Sequence, residues 1–561
     1  MLTGYGCERF RAFETAQLEV KPITILLGAN GVGKTSVLQI PLLFQQTASA
    51  GRDYRAPLRI HGQSVNFGNA HNVFHGHSES GVLTLSFTDD ELQTLIRGRL
   101  LSEFHSYLSE LRDYARYMLV RSSDRDKDAW TTELLTKIQS LQLNRTGMRS
   151  LPSDDFEATI NLFEEVNKRA DLSEWTNIRS PIFYSSFRTI RQKNSNRKFS
   201  PSQLIPAYKF LNKIKELDAA TFTLKFEISS CQSEGLTNLK TTGCDLYIGK
   251  RLFGSIVSGL DAKSFAMKSE ILDSDELSKV SASIGACWDP DAPLFYLIKL
   301  AESGPDNYVR DIFLNRMRRA LSAVEGSFKP DMVNHVGPLR AYPKRYYFLD
   351  IASTGAAQGD NLVELLRENE HLRHNINEWL SRFKIEIDVE QFREIIHRLK
   401  VKRDNMGFDL DITDVGFGLS QVLPVIAQSF LAKPGSITVF EQPEIHLHPN
   451  MQADLADLFI AALAARRQKN AKGGAGSPRY IIETHSEYLL NRLRRRIAEG
   501  QVSRDDVALY FVERSSTSSD ALCSTLRKVE IGASGAFEWP LEFFEQTLED
   551  TIQFLELQDQ G

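Results

Sequence analysis

Eight consecutive residues, Gly28-Ala29-Asn30-Gly31-Val32-Gly33-Lys34-Thr35, constrain this chain more than any other stretch. The spacing is G-x-x-x-x-G-K-T. The glycines let backbone N–H groups turn inward around a phosphate chain, and a lysine and a hydroxyl stand at the far end to meet it. The apolar run Ile23-Thr24-Ile25-Leu26-Leu27 precedes the loop and reads as a buried strand. A helix is predicted from Gly33, with Pro41 kinking or ending it after about two turns. A strand, a glycine loop and a helix N-terminus together make an anion site, because the loop supplies donors and the helix adds partial positive charge. Asn30, Gly31, Val32, Gly33, Lys34, Thr35 and Ser36 are therefore the expected nucleotide contacts. Lys34 would reach the β- and γ-phosphates, and Thr35 would offer its hydroxyl to Mg²⁺.

The remainder of the chain reads as an α/β protein divided in two. Residues 3–27 read as two strands and a turn, and 81–88 alternate like a half-buried strand. Leu92 to Met118 carries apolar residues at helical spacing, 188–203 reads as an exposed loop, and 221–258 shows strand-like alternation. Helical patterns return at 360–400. Strand–helix alternation then runs through strand 408–413, helix 418–432, strand 436–441, helix 450–467, strand 479–483, helix 486–498 and strand 507–513. Such alternation predicts a mostly parallel sheet covered by helices. The expected domains are 1–90 with 331–514, a mainly helical insertion at 91–330, and a short C-terminal α+β extension at 515–561.

Composition narrows the function classes. Of 561 residues 67 are Lys or Arg and 72 Asp or Glu, so the net charge of −5 leaves DNA contact only to a local patch. The five cysteines are scattered without a C-x-x-C pair, which argues for a reducing, cytoplasmic setting rather than a disulfide framework or a zinc ribbon. The longest near-continuous apolar run, Val422 to Ala432, is too short to span a bilayer.

Three further segments bear on the phosphate site. Ile437–Phe440 is an apolar strand ending in Glu441-Gln442-Pro443-Glu444, and a carboxylate at a strand's C-terminal end is where such a fold holds Mg²⁺ and its waters. Tyr480-Ile481-Ile482-Glu483-Thr484-His485-Ser486 is a second strand ending in polar groups. Asp414-Val415-Gly416-Phe417-Gly418-Leu419-Ser420-Gln421 is a glycine turn opening a helix, again an anion-binding device.

In this order the segments resemble the ABC-type ATPase heads of the SMC, RecF and OLD class. Within that class they resemble small bacterial AAA-type ATPases with an acidic-Gln-Pro-Glu-x-His-Leu-His-Pro run. Phe10–Phe13, Gly337–Arg340 and the tail from Val529 to Phe544 match as well. The resemblance covers about 1–90 and 330–561 and is not apparent across 91–330. It implies ATP and Mg²⁺ as cofactors, with Glu441 as the Walker B acid and metal partner beside Thr35. It also implies His485 as the switch histidine and His446-Leu447-His448 as a dimer-contact loop. Gly418 and Ser420 would cap the γ-phosphate of ATP bound to another copy, so the working unit is at least a homodimer, or a higher oligomer of dimers. The departure is Gln442, which stands where the class has a catalytic Glu. Hydrolysis is then expected to be slow unless Glu444 substitutes.

The architecture most resembles the ATPase subunit of Septu-type anti-phage systems. There a separate HNH-type nuclease carries the cutting chemistry and DNA is reached through the complex. The alternatives are a RecF- or SMC-like DNA-repair ATPase, an OLD-like ATPase without its own nuclease domain, and a scaffold in which ATP only joins subunits. His446 and His448 with Glu441 and Glu444 are open to a dimer-contact or a metal reading, and His71, His75 and His77 to a solvated or structural, a nucleotide-sensing or a metal reading. The basic cluster Arg492, Arg494, Arg495, Arg496 is open to helix-face pairing or phosphate contact.

Overall fold

The computed structural model describes residues 1–88, 204–217, 221–233, 236–261, 264–299, 307–348, 362–393, 395–404, 407–470, 476–516 and 522–538, with Thr136, Glu157, Ile160 and Asn161. The helix expected over Leu92–Met118, the loop 188–203 and the end of the tail lie outside the described residues. The chain divides into two compact units, 1–86 with 228–239 and 325–561, and 87–227 with 240–324.

The first unit is an α/β layer structure. Its site-bearing strands are β1 (Leu2–Phe10), β2 (Phe13–Glu19), β3 (Ile23–Leu27), β4 (Val333–Val336), β5 (Ile437–Glu441), β6 (Arg479–Glu483), β7 (Val507–Ser516) and β8 (Leu522–Val529). The strand Ser80–Thr88 leads the order and is followed by β1, β2, β8, β7, β3, β6, β5 and β4. From β7 to β4 every neighbouring pair is parallel, while β1 with β2 and β7 with β8 are antiparallel hairpin pairs. Strands β3 and β6 are buried at every residue, as strands covered on both faces must be.

Helices α1 (Lys34–Ala50), α2 (Phe417–Leu431), α3 (Pro449–Asn470) and α4 (Glu487–Ala498) flank this sheet. Ile23, Ile25, Leu27, Phe440, Tyr480 and Ile482 share one core with Val422, Leu423 and Ile426 of α2, Leu455 and Phe459 of α3 and Leu490 of α4. The alternate residues Leu26, Val439 and Ile481 face the other side by the two-residue period of a strand.

Several local expectations are corrected. The first 27 residues form three strands rather than two. Pro41 does not end α1, which continues to Ala50. Buried Val37, Leu38, Ile40, Leu42, Leu43 and Phe44 surround the proline, and their burial outweighs one missing backbone hydrogen bond. The stretch 360–400 is helical only over Leu362–Glu368 and Glu370–Leu380. It then forms an antiparallel hairpin, Ile385–Arg393 with Ile396–Arg403, in which Ile387, Leu399 and Val401 turn inward. The strand expected at 408–413 shortens to Leu410–Asp411 before a 3₁₀ turn.

The described strands Thr221–Ser233, Leu236–Ile248, Arg251–Ser258 and Phe265–Lys268 are successive neighbours, and all of their residues but 228–239 belong to the second unit. The described helices are Leu204–Lys215, Ser274–Ile284 and Tyr308–Ser327. Phe253 stacks on Phe313 at 5.1 Å in its interior.

Candidate phosphate-binding site

Three parallel strands bring the site together. In register, Leu26 of β3 lies beside Glu483 of β6, and Glu483 beside Glu441 of β5. The loop after β3, the acidic loop after β5 and the polar loop after β6 therefore leave one sheet edge side by side, the usual ligand edge of a parallel sheet.

Gly28, Gly31 and Gly33 have φ of 146°, 75° and 99°, which places the loop in the region that favours glycine. A Cβ at Gly28 would lie 2.3 Å from the Val512 carbonyl oxygen, and one at Gly33 would lie 2.7 Å from Ala12 Cβ. The loop is also pinned from outside. Ser524 Oγ donates to the Val32 carbonyl at 2.7 Å, and Arg514 Nη2 donates to the Gly31 carbonyl at 2.9 Å. Asn30 and Thr35 are exposed at the loop's mouth, while Ser36 is buried and its N–H donates to the Gly33 carbonyl.

Lys34 is the centre of the site. Only 4% exposed, its ammonium donates to the carbonyls of Gly28 at 2.9 Å and Ala29 at 2.8 Å and pairs with Glu483 at 3.7 Å. Glu483 is buried, and burial, with the Glu441 and Glu444 carboxylates, outweighs Lys34 and holds its carboxyl up at about 7. The second carboxylate oxygens of Glu483 and Glu444 are buried without a hydrogen-bond partner. Glu444 accepts the His485 backbone N–H at 2.7 Å, clasping the β5 and β6 loops together; burial raises its carboxyl too. Burial and then Lys34 push the His485 imidazole down to about 4, so it is neutral at physiological pH.

Glu441 accepts a hydrogen bond from His335 of β4 at 2.8 Å. Gln442 sits at φ 46°, and its N–H donates to the Glu483 carbonyl at 2.8 Å. Buried Arg340 donates to the carbonyls of Gln421 at 3.1 Å, Gln442 at 3.1 Å and Glu441 at 3.4 Å, tying the acidic loop to α2. At the start of α2, a Cβ on Gly418 would lie 2.7 Å from the His446 carbonyl oxygen, and the His446 ring meets Phe417 edge-on at 5.0 Å. Ser420 Oγ donates back to the Phe417 carbonyl at 2.7 Å.

The structure thus brings Lys34, Glu441, Gln442, Glu444 and His485 to one edge with the loop, and seats Gly418 and Ser420 against the loop containing His446. It adds Glu483, His335, Arg340, Arg514 and Ser524, which sequence reasoning did not single out as site residues. Glu483 carried a signal, since it ends an apolar strand just before Thr-His. His71 lies within hydrogen-bond reach of Thr237 Oγ1 at 3.0 Å, and His75 of the Arg11 carbonyl at 3.0 Å. No cluster of three or more metal-ligating side chains occurs among the described residues. The basic cluster is internally paired: Arg492 with Asp454 and Asp457, Arg496 with Asp457 and Glu499, and Arg495 with Glu499. Arg494 lies over the Phe537 ring at 5.0 Å. No described helix is long and apolar enough to cross a membrane.

No curated protein matches the chain in sequence. Among solved structures it is similar to the SMC head domain from Thermotoga maritima, with a TM-score of 0.32 and 8% identity over 94% of this chain and 99% of that one. It is also similar to the Smc head domain with an extended coiled coil, bound to the C-terminal domain of ScpA, from Pyrococcus furiosus, with a TM-score of 0.31 and 9% identity over 98% of this chain and 99% of that one. Residues 354–490 match the family model of the AAA ATPase domain, and this span holds the Gly418–Ser420 turn, the Glu441–Glu444 strand end and His485.

Proposed function

We propose that the chain is an ABC-type ATPase in which ATP binds through Asn30–Ser36 and a second copy completes the site. The observation that carries this reading is the buried Lys34 ammonium at the junction of the three strand ends, held by loop carbonyls that a polyphosphate would replace. The glycine cradle and the unpartnered carboxylate oxygens fit a triphosphate with a divalent cation. Thr35 and Glu441 would hold Mg²⁺, which when bound neutralises phosphate charge and polarises the transferred group. Lys34 would move from its own loop to the β- and γ-phosphates. His485, being neutral, would offer one N–H to the γ-phosphate. Gly418 and Ser420 would cap the γ-phosphate of the opposite copy. Gln442 cannot accept a proton, so slow turnover with long ATP occupancy follows.

The fuller reading is that this ATPase regulates a separate HNH-type nuclease in a bacterial anti-phage complex, with DNA reached through that complex in the cytoplasm. The sequence resemblance supports it, and so does the internal pairing of the densest basic cluster, which leaves less of that cluster for phosphate contact. Calorimetry with ATP and Mg²⁺ tests the site. Wild type should bind, and Lys34→Ala should bind at least about 100-fold more weakly; equal affinities would refute the assignment. Co-purification with the product of the neighbouring reading frame, followed by plasmid cleavage with and without ATP, tests the partnership.

A further inference from the structure

Gln442 cannot take the proton of an attacking water, and hydrolysis faster than the slow background needs another group that can. We propose that Glu483, at the end of the strand between the phosphate loop and the acidic strand, is the catalytic base of this site.

Four carboxylate or amide side chains stand at this edge, and the geometry separates them. Glu441 is engaged by His335 at 2.8 Å and is the metal partner in the proposed function. Gln442 carries an amide, which is no base. Glu444 spends one oxygen as the clasp on the His485 backbone N–H at 2.7 Å, and its other oxygen, like one of Glu483, is buried without a partner; what separates the two is contact with Lys34. Glu483 contacts the phosphate-loop lysine itself: its Oε1 lies 3.7 Å from Lys34 Nζ, and its Oε2 is buried with no hydrogen-bond partner. Its position is fixed by the sheet, with Leu26 on one side and Glu441 on the other. Without nucleotide, the ammonium is the carboxylate's counter-ion. When Lys34 moves to the phosphates, Glu483 loses that counter-ion while the sheet holds it in place beside the phosphate loop.

The step balances as follows. The water oxygen bonds to the γ-phosphorus. The bond from that phosphorus to the β,γ-bridging oxygen breaks, and its electron pair stays with ADP. One water proton passes to Glu483 and is later released to solvent. Free inorganic phosphate carries the other.

The inference rests on the ATPase reading above, and the test separates the two. Full-length wild type, Lys34→Ala, Glu483→Gln and Glu444→Gln are compared for binding of a non-hydrolysable ATP analogue with Mg²⁺ and for single-turnover hydrolysis of ATP with enzyme in excess. Glu483→Gln keeps the shape of the side chain and removes its basicity. It should bind the analogue at least as tightly as wild type, since a negative charge near the phosphates is gone. Its hydrolysis should fall tenfold or more, within the 10²–10⁴-fold range of a positioned base or just short of it. A fall smaller than tenfold overturns the inference, whether or not Glu444→Gln loses activity. So does a fall matched by an equal loss of analogue affinity, which would make Glu483 a binding residue. Wild type that binds the analogue but hydrolyses no faster than buffer also overturns it. Wild type that does not bind, or Lys34→Ala that binds equally well, overturns the ATPase reading instead.

Discussion

At the scale of single residues, Gly33 is, with Gly28, one of the two tightly crowded glycines of the phosphate loop. Its φ of 99° and the 2.7 Å approach of its would-be Cβ to Ala12 forbid any other side chain without movement. Gly33→Ala should cost about 1–3 kcal/mol in backbone strain, before any clash, and weaken ATP binding at least about tenfold. Urea unfolding and calorimetry measure the two effects, and an unchanged affinity would mean that the loop's shape is not what holds phosphate. The motif was legible because its eight residues are consecutive. The groups that crowd it were not. Ala12, Val512 and Ser524 reach the loop from the turn before β2, from β7 and from β8, and Glu483 and His335 reach the acidic end through parallel strand register. Register between distant strands leaves no trace in a local window. The strand end at Glu483 could be read, but not its 3.7 Å approach to Lys34.

At the scale of elements, helix α3 fixes the acidic strand through aromatic packing. Phe459 of α3 lies 5.1 Å from the Phe440 ring and 5.6 Å from that of Tyr480, so one helical side chain bridges β5 and β6. Tyr480 also donates its hydroxyl to the Ser429 carbonyl of α2 at 2.7 Å. Phe459 is 1% exposed, and Phe459→Ala should destabilise the protein by about 3–5 kcal/mol. The expected result is a lower urea midpoint with an unchanged slope, and a midpoint within error of wild type would show that the cluster is not well packed. These elements were legible because ITILL, ITVFE and RYIIE are short runs buried at nearly every residue. The hairpin over Ile385–Arg403 falls largely within the stretch 360–400 expected to be helical, although I-E-I-D-V and H-R-L-K-V-K alternate at period two. Pro41 misled in the opposite sense, since a proline signals a break locally while the buried face of α1 decides the outcome.

At the scale of the whole molecule, the site exists only when distant parts of the chain meet. Strand β2 near the N-terminus pairs with β8 near the C-terminus at Phe13 and Ser524, and the site draws on residues 28–36, 335–340, 441–444 and 483–485. The Gly418–Ser420 turn belongs to the same unit but is engaged within its own chain. Ser420 Oγ donates to the Phe417 carbonyl, and the Phe417 ring meets that of Tyr342 at a tilt, 5.3 Å away. Beside that turn, Tyr342 is 78% and Leu339 97% exposed, an apolar rim that water does not favour. If the turn caps ATP bound to a second copy, ATP binding and self-association are linked, and each must strengthen the other by the same factor. Ser420→Arg places a long cation at the helix N-terminus, where anions and not cations are stabilised. It should leave ATP binding by one copy within about threefold of wild type, yet abolish ATP-dependent association, because in that reading the obstruction stands between the turn and the second copy's nucleotide. Sedimentation velocity with the non-hydrolysable analogue and Mg²⁺ reads this directly, and an unchanged melting temperature confirms that the variant is folded. If folded Ser420→Arg assembles with the analogue as wild type does, the shared nucleotide site is wrong, and Gly418 and Ser420 serve only to seat the His446 loop.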